Sequence, residues 1–505
     1  MLEADGTQRL GASWFRRQPG RSLLHLEGDP FSMGFANAAL TSEVLEIQER
    51  SLIDTVREHF PSRFTFAGIA MLVVLNNRSL SDYVANDLQL EILGLSMGSA
   101  DPFPEYGPRY NRLLNYHAAH DIAHWVADRP VVGCTAFAAA GKQTRDQSLI
   151  VGRMFDFEAG RHFDENKIIG RYVPTTGFKF LSVAWPGMAG AVTGMNSERI
   201  WCSLNGAHSA SRGRIGTPVS LVIRDVLQHA GTLNQAVEII RNAKVFVADS
   251  YLVADGKTGR AVVVEKTPES SAVCSMENDL IVQANHFEST ELKDDSGNME
   301  YLSEGTSLAR HRRISQLLHD VDGRIDPTTA TEILRDRRFV DGSPLSLGNR
   351  SAIDALISTH AVVADVSKGV MWVSRGPHGL GVFDAYSLDA FDHPAGAEIA
   401  MDPLLVNGEY TKVTRARTLV AAAQREWGSM GRLGAACRAG LQEAIRLIPN
   451  DSTSMELEAT ALEKDGAQHS ALEMWRAALA GKPAFRDQRQ RIEASIKRLE
   501  GNSKK

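Results

Sequence analysis

Hydrophobic positions along the 505-residue chain change their period twice. A short apolar run at 22–26 reads as a strand, and the turn Gly28-Asp29-Pro30 closes it. Apolar residues then recur at helical spacing over 34–60, and residues 80–95 and 110–127 show the same pattern. From 134 to about 390 the texture becomes short alternating runs, at 148–157, 190–204, 261–265, 280–284, 361–365 and 370–374, separated by Gly, Asn, Asp and Pro turns. Helical stretches at 218–242 and 307–319 interrupt them, and after Pro403 the chain is Ala-rich and helical to its end. Strands and helices grouped in runs predict a layered α+β domain, not a doubly wound parallel sheet.

The helical tail carries a repeat. Leu441, Ala444 and Pro449 recur at a spacing of thirty-four as Trp475, Ala478 and Pro483. Together with Ala459, Gly466 and Ala471 the second set resembles the packing positions of a tetratricopeptide repeat, whereas the first unit lacks the Gly and Ala of its helix-turn-helix. Two units and a final helix at 485–499 are fewer than such arrays need alone, so the tail is expected to pack on the main domain. It serves either as a stabilising extension or as a surface for a protein partner.

Composition narrows the function. The net charge is −6 with basic residues scattered along the chain, which excludes the patch that nucleic acid binding requires. The first thirty residues contain no apolar core of signal-peptide length, and the apolar run at 66–75 is too short to span a bilayer, so the expectation is a cytoplasmic chain with no membrane span. Four cysteines stand at 134, 202, 274 and 437 without a Cys-x-x-Cys pair, against a disulfide scaffold or a zinc knuckle. His117, His120 and His124 would share a helical face, yet no carboxylate completes a ligand pattern, and neither metal nor cofactor is expected. The glycine-rich stretch 375–381 lacks the Lys-Ser/Thr ending of a phosphate cradle and reads as a loop. No His-Glu-x-x-His and no papain-type cysteine surroundings occur.

What remains is Cys134. A thiol in an apolar run is by default a small buried hydrophobe, but here Gly133 precedes it and Arg153 and Asp156 follow at the end of the next strand-like run. That order suits a cysteine that cuts its own peptide bond, because a preceding glycine leaves the carbonyl least obstructed. The freed α-amino group, titrating near ~8, can then act as general base for its own thiol.

In this light the chain resembles the self-processing cysteine N-terminal-nucleophile (Ntn) hydrolases, of the isopenicillin N acyltransferase type, with choloylglycine and penicillin V hydrolases more distant. The resemblance covers roughly 20–390. It rests on Leu26-Glu27-Gly28-Asp29-Pro30-Phe31-Ser32-Met33-Gly34, Gly133-Cys134-Thr135-Ala136-Phe137, Gly152-Arg153-Met154-Phe155-Asp156-Phe157, Met195-Asn196, Ser203-Leu204-Asn205, Asn285-His286-Phe287, Ser307-Leu308-Ala309-Arg310 and Trp372-Val373. It implies that Cys134 is the nucleophile, that Asp156 holds its new α-amino group, and that Arg153 beside the sulfur favours the thiolate. Asn285 would offer its side-chain N–H to the oxyanion, with a donor at Asn205 completing the hole. The last arginine of the set maps onto Arg310 or Arg313.

The resemblance implies a four-layer αββα sandwich with two antiparallel sheets. Its parts are a mostly helical fragment 1–133, a catalytic domain 134–400 and the helical extension 405–500. The expected reaction is amide cleavage of an N-acyl small molecule through a thioester, with water, an acceptor amine or acyl-CoA as second reactant. Two rivals are a phospholipase-B-like ester hydrolase on the same fold and a non-catalytic scaffold that uses the tail.

Overall fold

The computed structural model describes residues 3–18, 20–59, 79–118, 121, 133–158, 162–321 and 323–502. Sixteen strands form two sheets among them. The larger, in order β1-β2-β3-β6-β7-β8-β9-β10-β11-β12, contains β1 (Thr7–Leu10), β2 (Ser13–Gln18), β3 (Arg21–Gly28), β6 (Ile168–Pro174), β7 (Phe180–Ala184), β8 (Thr193–Asn196), β9 (Ile200–Gly206), β10 (Asp249–Asp255), β11 (Arg260–Lys266) and β12 (Ser271–Ser275). The smaller, in order β13-β4-β5-β14-β15-β16, contains β4 (Thr135–Gly141), β5 (Gln147–Asp156), β13 (Leu280–Gln283), β14 (Ser358–Asp365), β15 (Val370–Ser374) and β16 (Phe383–Tyr386). All pairings are antiparallel except β3 with β6. Beside its helices the N-terminal region contributes β1 to β3, which complete the large sheet.

The sheets face each other across an apolar layer to which one contributes Leu23, Ile169, Val183, Trp201 and Leu252, and the other Ala136, Ala138, Val151, Val362 and Val373. Period-two alternation sends the other side chains outward. On the outer face of the large sheet, Leu24, Leu26, Tyr172, Leu204 and Val253 meet helices α1 (Pro30–Leu40), α2 (Ser42–His59), α3 (Asn86–Met97), α4 (Arg109–His117), α6 (Val219–His229) and α7 (Leu233–Asn242). A short α5 (His162–Glu165) precedes β6. On the outer face of the small sheet, Phe137, Ile150, Met154 and Val363 meet α9 (Ser307–Asp320) and α10 (Pro327–Leu334), after α8 (Ser296–Glu304). This is the four-layer αββα sandwich.

Several expected elements are broken in the structure, and the helical run 34–60 divides at Thr41 between α1 and α2. The run 190–204 splits at Ser197–Arg199, where Asn196 Oδ1 accepts from the N–H of Glu198 and of Ile200 and makes a tight turn between β8 and β9. The helix expected over 218–242 ends at His229, and Thr232 caps a new one by accepting from the Gln235 N–H. The apolar run 66–75 and most of 119–132 lie outside the described residues. No described helix is long and apolar enough to cross a membrane.

The C-terminal helices α12 (Glu409–Met430), α13 (Ala435–Leu447), α14 (Ser452–Lys464), α15 (Gln468–Ala480) and α16 (Arg486–Asn502) follow a short α11 (Pro403–Val406). Ala459, Ala471, Trp475, Ala478 and Ile492 form their own core. The tail also docks on the sandwich, where Val413, Ala416, Ala444 and Ile448 cover Leu356 and Leu380. Arg417 secures this contact by donating to the carbonyls of Leu356 at 2.6 Å and Ala355 at 3.0 Å.

Candidate active site

Cys134 stands at the entry to β4, fully buried, at the edge where strands of both sheets end. Small residues make the strand narrow: Ala136 and Ala138 fill the space between the sheets, while Phe137 packs outward over Gly152 of β5. A Cβ at Gly152 would lie 2.3 Å from that ring, so the Gly-Arg pair of β5 is a packing requirement of β4. Alternation along β5 then aims Arg153 between the sheets with Leu149 and Val151, and Asp156 to the opposite side with Ile150 and Met154.

Arg153 is completely buried and donates to the carbonyls of Val192 and Leu204 and to Thr193 Oγ1. Its guanidinium sits 4.7 Å above the Phe155 ring. Burial pulls its pKa down to about 10, which still leaves it cationic at neutral pH. Burial raises the Cys134 thiol, and Arg153 is the leading influence that lowers it again. The thiol donates weakly to the Asp156 carbonyl at 3.7 Å, and the Gly133 N–H reaches that carbonyl at 3.2 Å. The Asp156 carboxylate thus borders the peptide bond that precedes the cysteine. Burial pushes Asp156 up to about 6, against a hydrogen bond from Ser358 Oγ at 2.6 Å and the charges of Arg310 and Arg350.

Arg310, on α9, donates to the Cys134 carbonyl at 2.5 Å, to Thr135 Oγ1 at 2.8 Å and to Asn285 Oδ1 at 2.8 Å. Arg313 instead pairs with Asp336 at 2.8 Å, away from Cys134. Asn285 follows β13 and is oriented at both ends: its N–H donates to Ser307 Oγ at 2.7 Å and its amide to the Gly206 carbonyl at 2.8 Å. Among the described residues, that leaves one amide hydrogen of Asn285 without a protein acceptor. Asn205 is occupied differently. Its amide donates to the carbonyls of Gln283 at 3.3 Å and Ala284 at 3.0 Å, tying β9 to β13 across the two sheets, and its buried Oδ1 has no hydrogen bond among the described residues. The structure therefore brings Cys134, Arg153, Asp156, Asn285 and Arg310 to one point, with Asn205 behind Asn285 as a cross-sheet tie.

Ser358, Thr193 and His360 also belong to this cluster and were not singled out by motif. Ser358 bonds Asp156, and Thr193 links Arg153 to His360 Nε2 at 2.9 Å. The signal available for Ser358 and His360 is the polar run Ser358-Thr359-His360 entering the apolar strand at 361.

An apolar cavity adjoins Arg153 through Phe155 and Val192. Leu45, Leu52, Leu113, Phe157, Phe163, Trp185 and Met188 are among its apolar lining. Phe163 meets Trp185 edge-on at 5.5 Å and Phe157 edge-on at 5.5 Å. At its back, Glu49 accepts from Arg112 and from the Tyr116 hydroxyl, both at 3.1 Å. His117 donates from Nδ1 to the Leu113 carbonyl at 2.7 Å and accepts the Ala189 N–H on Nε2 at 2.8 Å, and burial drops its pKa to about 4. It is a neutral, satisfied core histidine; His120 and His124 lie outside the described residues. The glycine-rich 375–381 is a loop between β15 and β16.

Residues 144–376, just under half the chain, match the family model described as acyl-coenzyme A:6-aminopenicillanic acid acyl-transferase. This is the type to which the motifs around Cys134 are similar. Among curated proteins, an uncharacterized protein of Archaeoglobus fulgidus is 25% identical over 351 residues, 62% of this chain and 58% of that protein. An N-acylethanolamine-hydrolyzing acid amidase of Caenorhabditis elegans is 24% identical over 202 residues, 38% of this chain and 54% of that one. The chain thus spans little more than half the length of these relatives. Among solved structures, a mutant conjugated bile acid hydrolase from Clostridium perfringens aligns over 50% of this chain and 92% of its own, with 16% identity and a TM-score of 0.36.

Proposed function

We propose that this chain, whose residues 144–376 match the acyl-transferase family, cuts itself between Gly133 and Cys134 and then works as a cysteine N-terminal-nucleophile amidase or acyltransferase. The observation that carries this reading is the convergence on one buried thiol of the Arg153 cation, the Asp156 carboxylate beside the Gly133–Cys134 bond, and the Arg310–Asn285 pair. After the cut the α-amino group of Cys134 takes the thiol proton while Asp156 holds that group in place. The thiolate attacks the carbonyl carbon of an N-acyl amide. Asn285 donates its remaining amide hydrogen to the resulting oxyanion, a contact worth about 10²–10³ in rate at comparable sites. Collapse breaks the C–N bond, the protonated α-amine returns its proton to the leaving amine, and a thioester remains. Water resolves it to an acid, or a second amine takes the acyl group.

The aromatic cavity beside Arg153 supports an apolar acyl group, and the acid amidase among the relatives is named for N-acylethanolamines. In this reading residues 1–133 are the fragment released by the cut yet retained by packing, since α1 to α4 roof the large sheet and α2 and α4 line the cavity. The C-terminal pairs act as a tetratricopeptide-like buttress.

Intact mass tests the proposal. Two fragments meeting at 133/134 are expected in the purified protein and a single chain in Cys134→Ala. A panel of N-acyl amides set against phospholipids then separates amidase from lipid esterase, and a wild-type chain that stays whole and inert on every member would refute the proposal.

A further inference from the structure

Among the described residues, one group of three side chains has the donor set of a metal centre: His286, Glu288 and His311, with ligand atoms all within 4.8 Å of one another. We infer that these three residues form a binding site for a divalent transition-metal ion of the zinc class, next in the chain to Asn285 and Arg310.

The geometry fits a metal better than it fits ion pairs alone. Glu288 presents Oε2 to His311 Nε2 at 3.1 Å and Oε1 to His286 Nε2 at 3.6 Å. The longer distance is beyond a hydrogen bond. It is close to the ~3.4 Å edge of a tetrahedron whose corners lie about 2.0–2.2 Å from zinc. The two imidazoles stand edge-on, with ring centroids 5.3 Å apart and planes at 74°, so both Nε2 atoms converge without ring contact.

The surroundings also position the ligands. His286 Nδ1 meets Ser307 Oγ at 2.7 Å, and with Nδ1 as donor the lone pair of Nε2 faces the carboxylate, an arrangement that a cation satisfies. Glu288 is fixed through its N–H, which donates to Glu265 Oε1 at 2.6 Å. His311 is carried by α9. The Glu288 side chain is 44% exposed, which gives an entry path and room for a water as fourth ligand. Two imidazoles and one carboxylate suit Zn²⁺, Co²⁺ or Ni²⁺ and disfavour Mg²⁺ and Ca²⁺.

The placement has a consequence. His286 follows Asn285 and His311 follows Arg310 in the chain, so a bound ion ties the segment after β13 to α9 at the step next to the Arg310–Asn285 hydrogen bond.

The test uses the chelator-treated full chain carrying Cys134→Ala, so that binding is read whatever the chemistry at position 134. Equilibrium dialysis and calorimetry with Zn²⁺ are expected to show one ion per chain, not displaced by millimolar Mg²⁺. Affinity should fall at least tenfold in Glu288→Gln and in His311→Ala. Because a variant can lose affinity through misfolding, Co²⁺ is added to the chain with all three ligands intact, where a visible ligand-field band that Zn²⁺ abolishes is expected. Absence of stoichiometric Zn²⁺, absence of that band, or an affinity unchanged in both variants would overturn the site.

Discussion

The Arg310 guanidinium donates to Asn285 Oδ1 at 2.8 Å through one nitrogen and to the Cys134 carbonyl at 2.5 Å through the other. The planar fork therefore fixes the amide that faces the oxyanion and the nucleophile's own main chain in one frame. Lysine, a single flexible point charge, cannot span both acceptors. Arg310→Lys is expected to lower kcat/KM on an N-acyl substrate at least tenfold while the two-fragment pattern persists at a slower rate. Equal turnover by both proteins would remove Arg310 from the proposed site.

Gly133 has little room for a side chain. A Cβ there would stand 3.2 Å from Arg350 Nη2 and 3.4 Å from Asp156 Oδ2. Gly133→Ala must push one of those groups aside, and Asp156 is the one that borders the bond to be cut. The expected outcome is a cut several-fold slower in a mass-spectrometric time course, with normal activity per cleaved chain, because after the cut the alanine ends a separate fragment and is no longer held against Asp156 by the bond to Cys134.

Asp156 makes the uncut chain pH-sensitive in a direction opposite to an ordinary ion-paired carboxylate. Its folded pKa of about 6 is above its ordinary value of 3.8, so the native state holds the proton more tightly than the unfolded chain. The stabilisation is complete below the unfolded value and is lost as pH rises through about 6. About two units correspond to ~3 kcal/mol. In the Cys134→Ala background, Asp156→Asn should gain on its parent by this order between pH 4 and pH 6.5 in denaturant unfolding. A difference that stays flat across that window would mean that Asp156 is ionised throughout.

Alternating strands and grouped helices made a layered α+β domain legible, whereas the four-layer αββα arrangement, and Cys134, Arg153, Asp156, Asn285 and Arg310 as one set, came from the motif order that resembles the Ntn hydrolases. Long-range pairing was not legible. The parallel match of β3 with β6 joins residues 22–28 to 168–174, and periodicity carries no information about partners so distant. The same limit hid Ser358, whose importance lies in meeting Asp156 from 202 positions away. Asn205 shows the converse: its motif marks the position, but only the contacts with Gln283 and Ala284 reveal that its amide is spent on holding the two sheets together.

Arg417 connects the helical tail to this site. It donates to the carbonyls of Ala355 and Leu356, just before Ser358, and Leu356 itself lies under Val413 and Ala416. Removing the guanidinium leaves two carbonyls short of a donor, a cost of about 1–3 kcal/mol each where water cannot replace it. Arg417→Ala is expected to lower the Tm by several degrees and to slow the cut through Ser358 and Asp156. Truncation before α12 should do both more strongly, and a truncated chain with unchanged Tm would show the tail to be an independent appendage.

The cavity predicts which acyl groups are accepted. Its walls are Leu45, Leu52, Leu113, Phe157, Phe163 and Trp185, with Met188 at the loop that leads to Val192 and hence to Arg153. Burial of each methylene of an acyl chain contributes about 0.8 kcal/mol, so a chain that fills the space gains steeply over a shorter one. Met188 is partly buried and flexible, and Met188→Trp exchanges it for a larger rigid body that occupies this space. The cavity holds about 100 Å³, room for a short acyl chain, so turnover of an N-hexanoyl amide should then fall more than tenfold, while an N-acetyl analogue loses little. Because Cys134, Asp156 and Asn285 are untouched, the cut at 133/134 should proceed as in the parent. If the two substrates decline in parallel, the cavity is not where the acyl group sits.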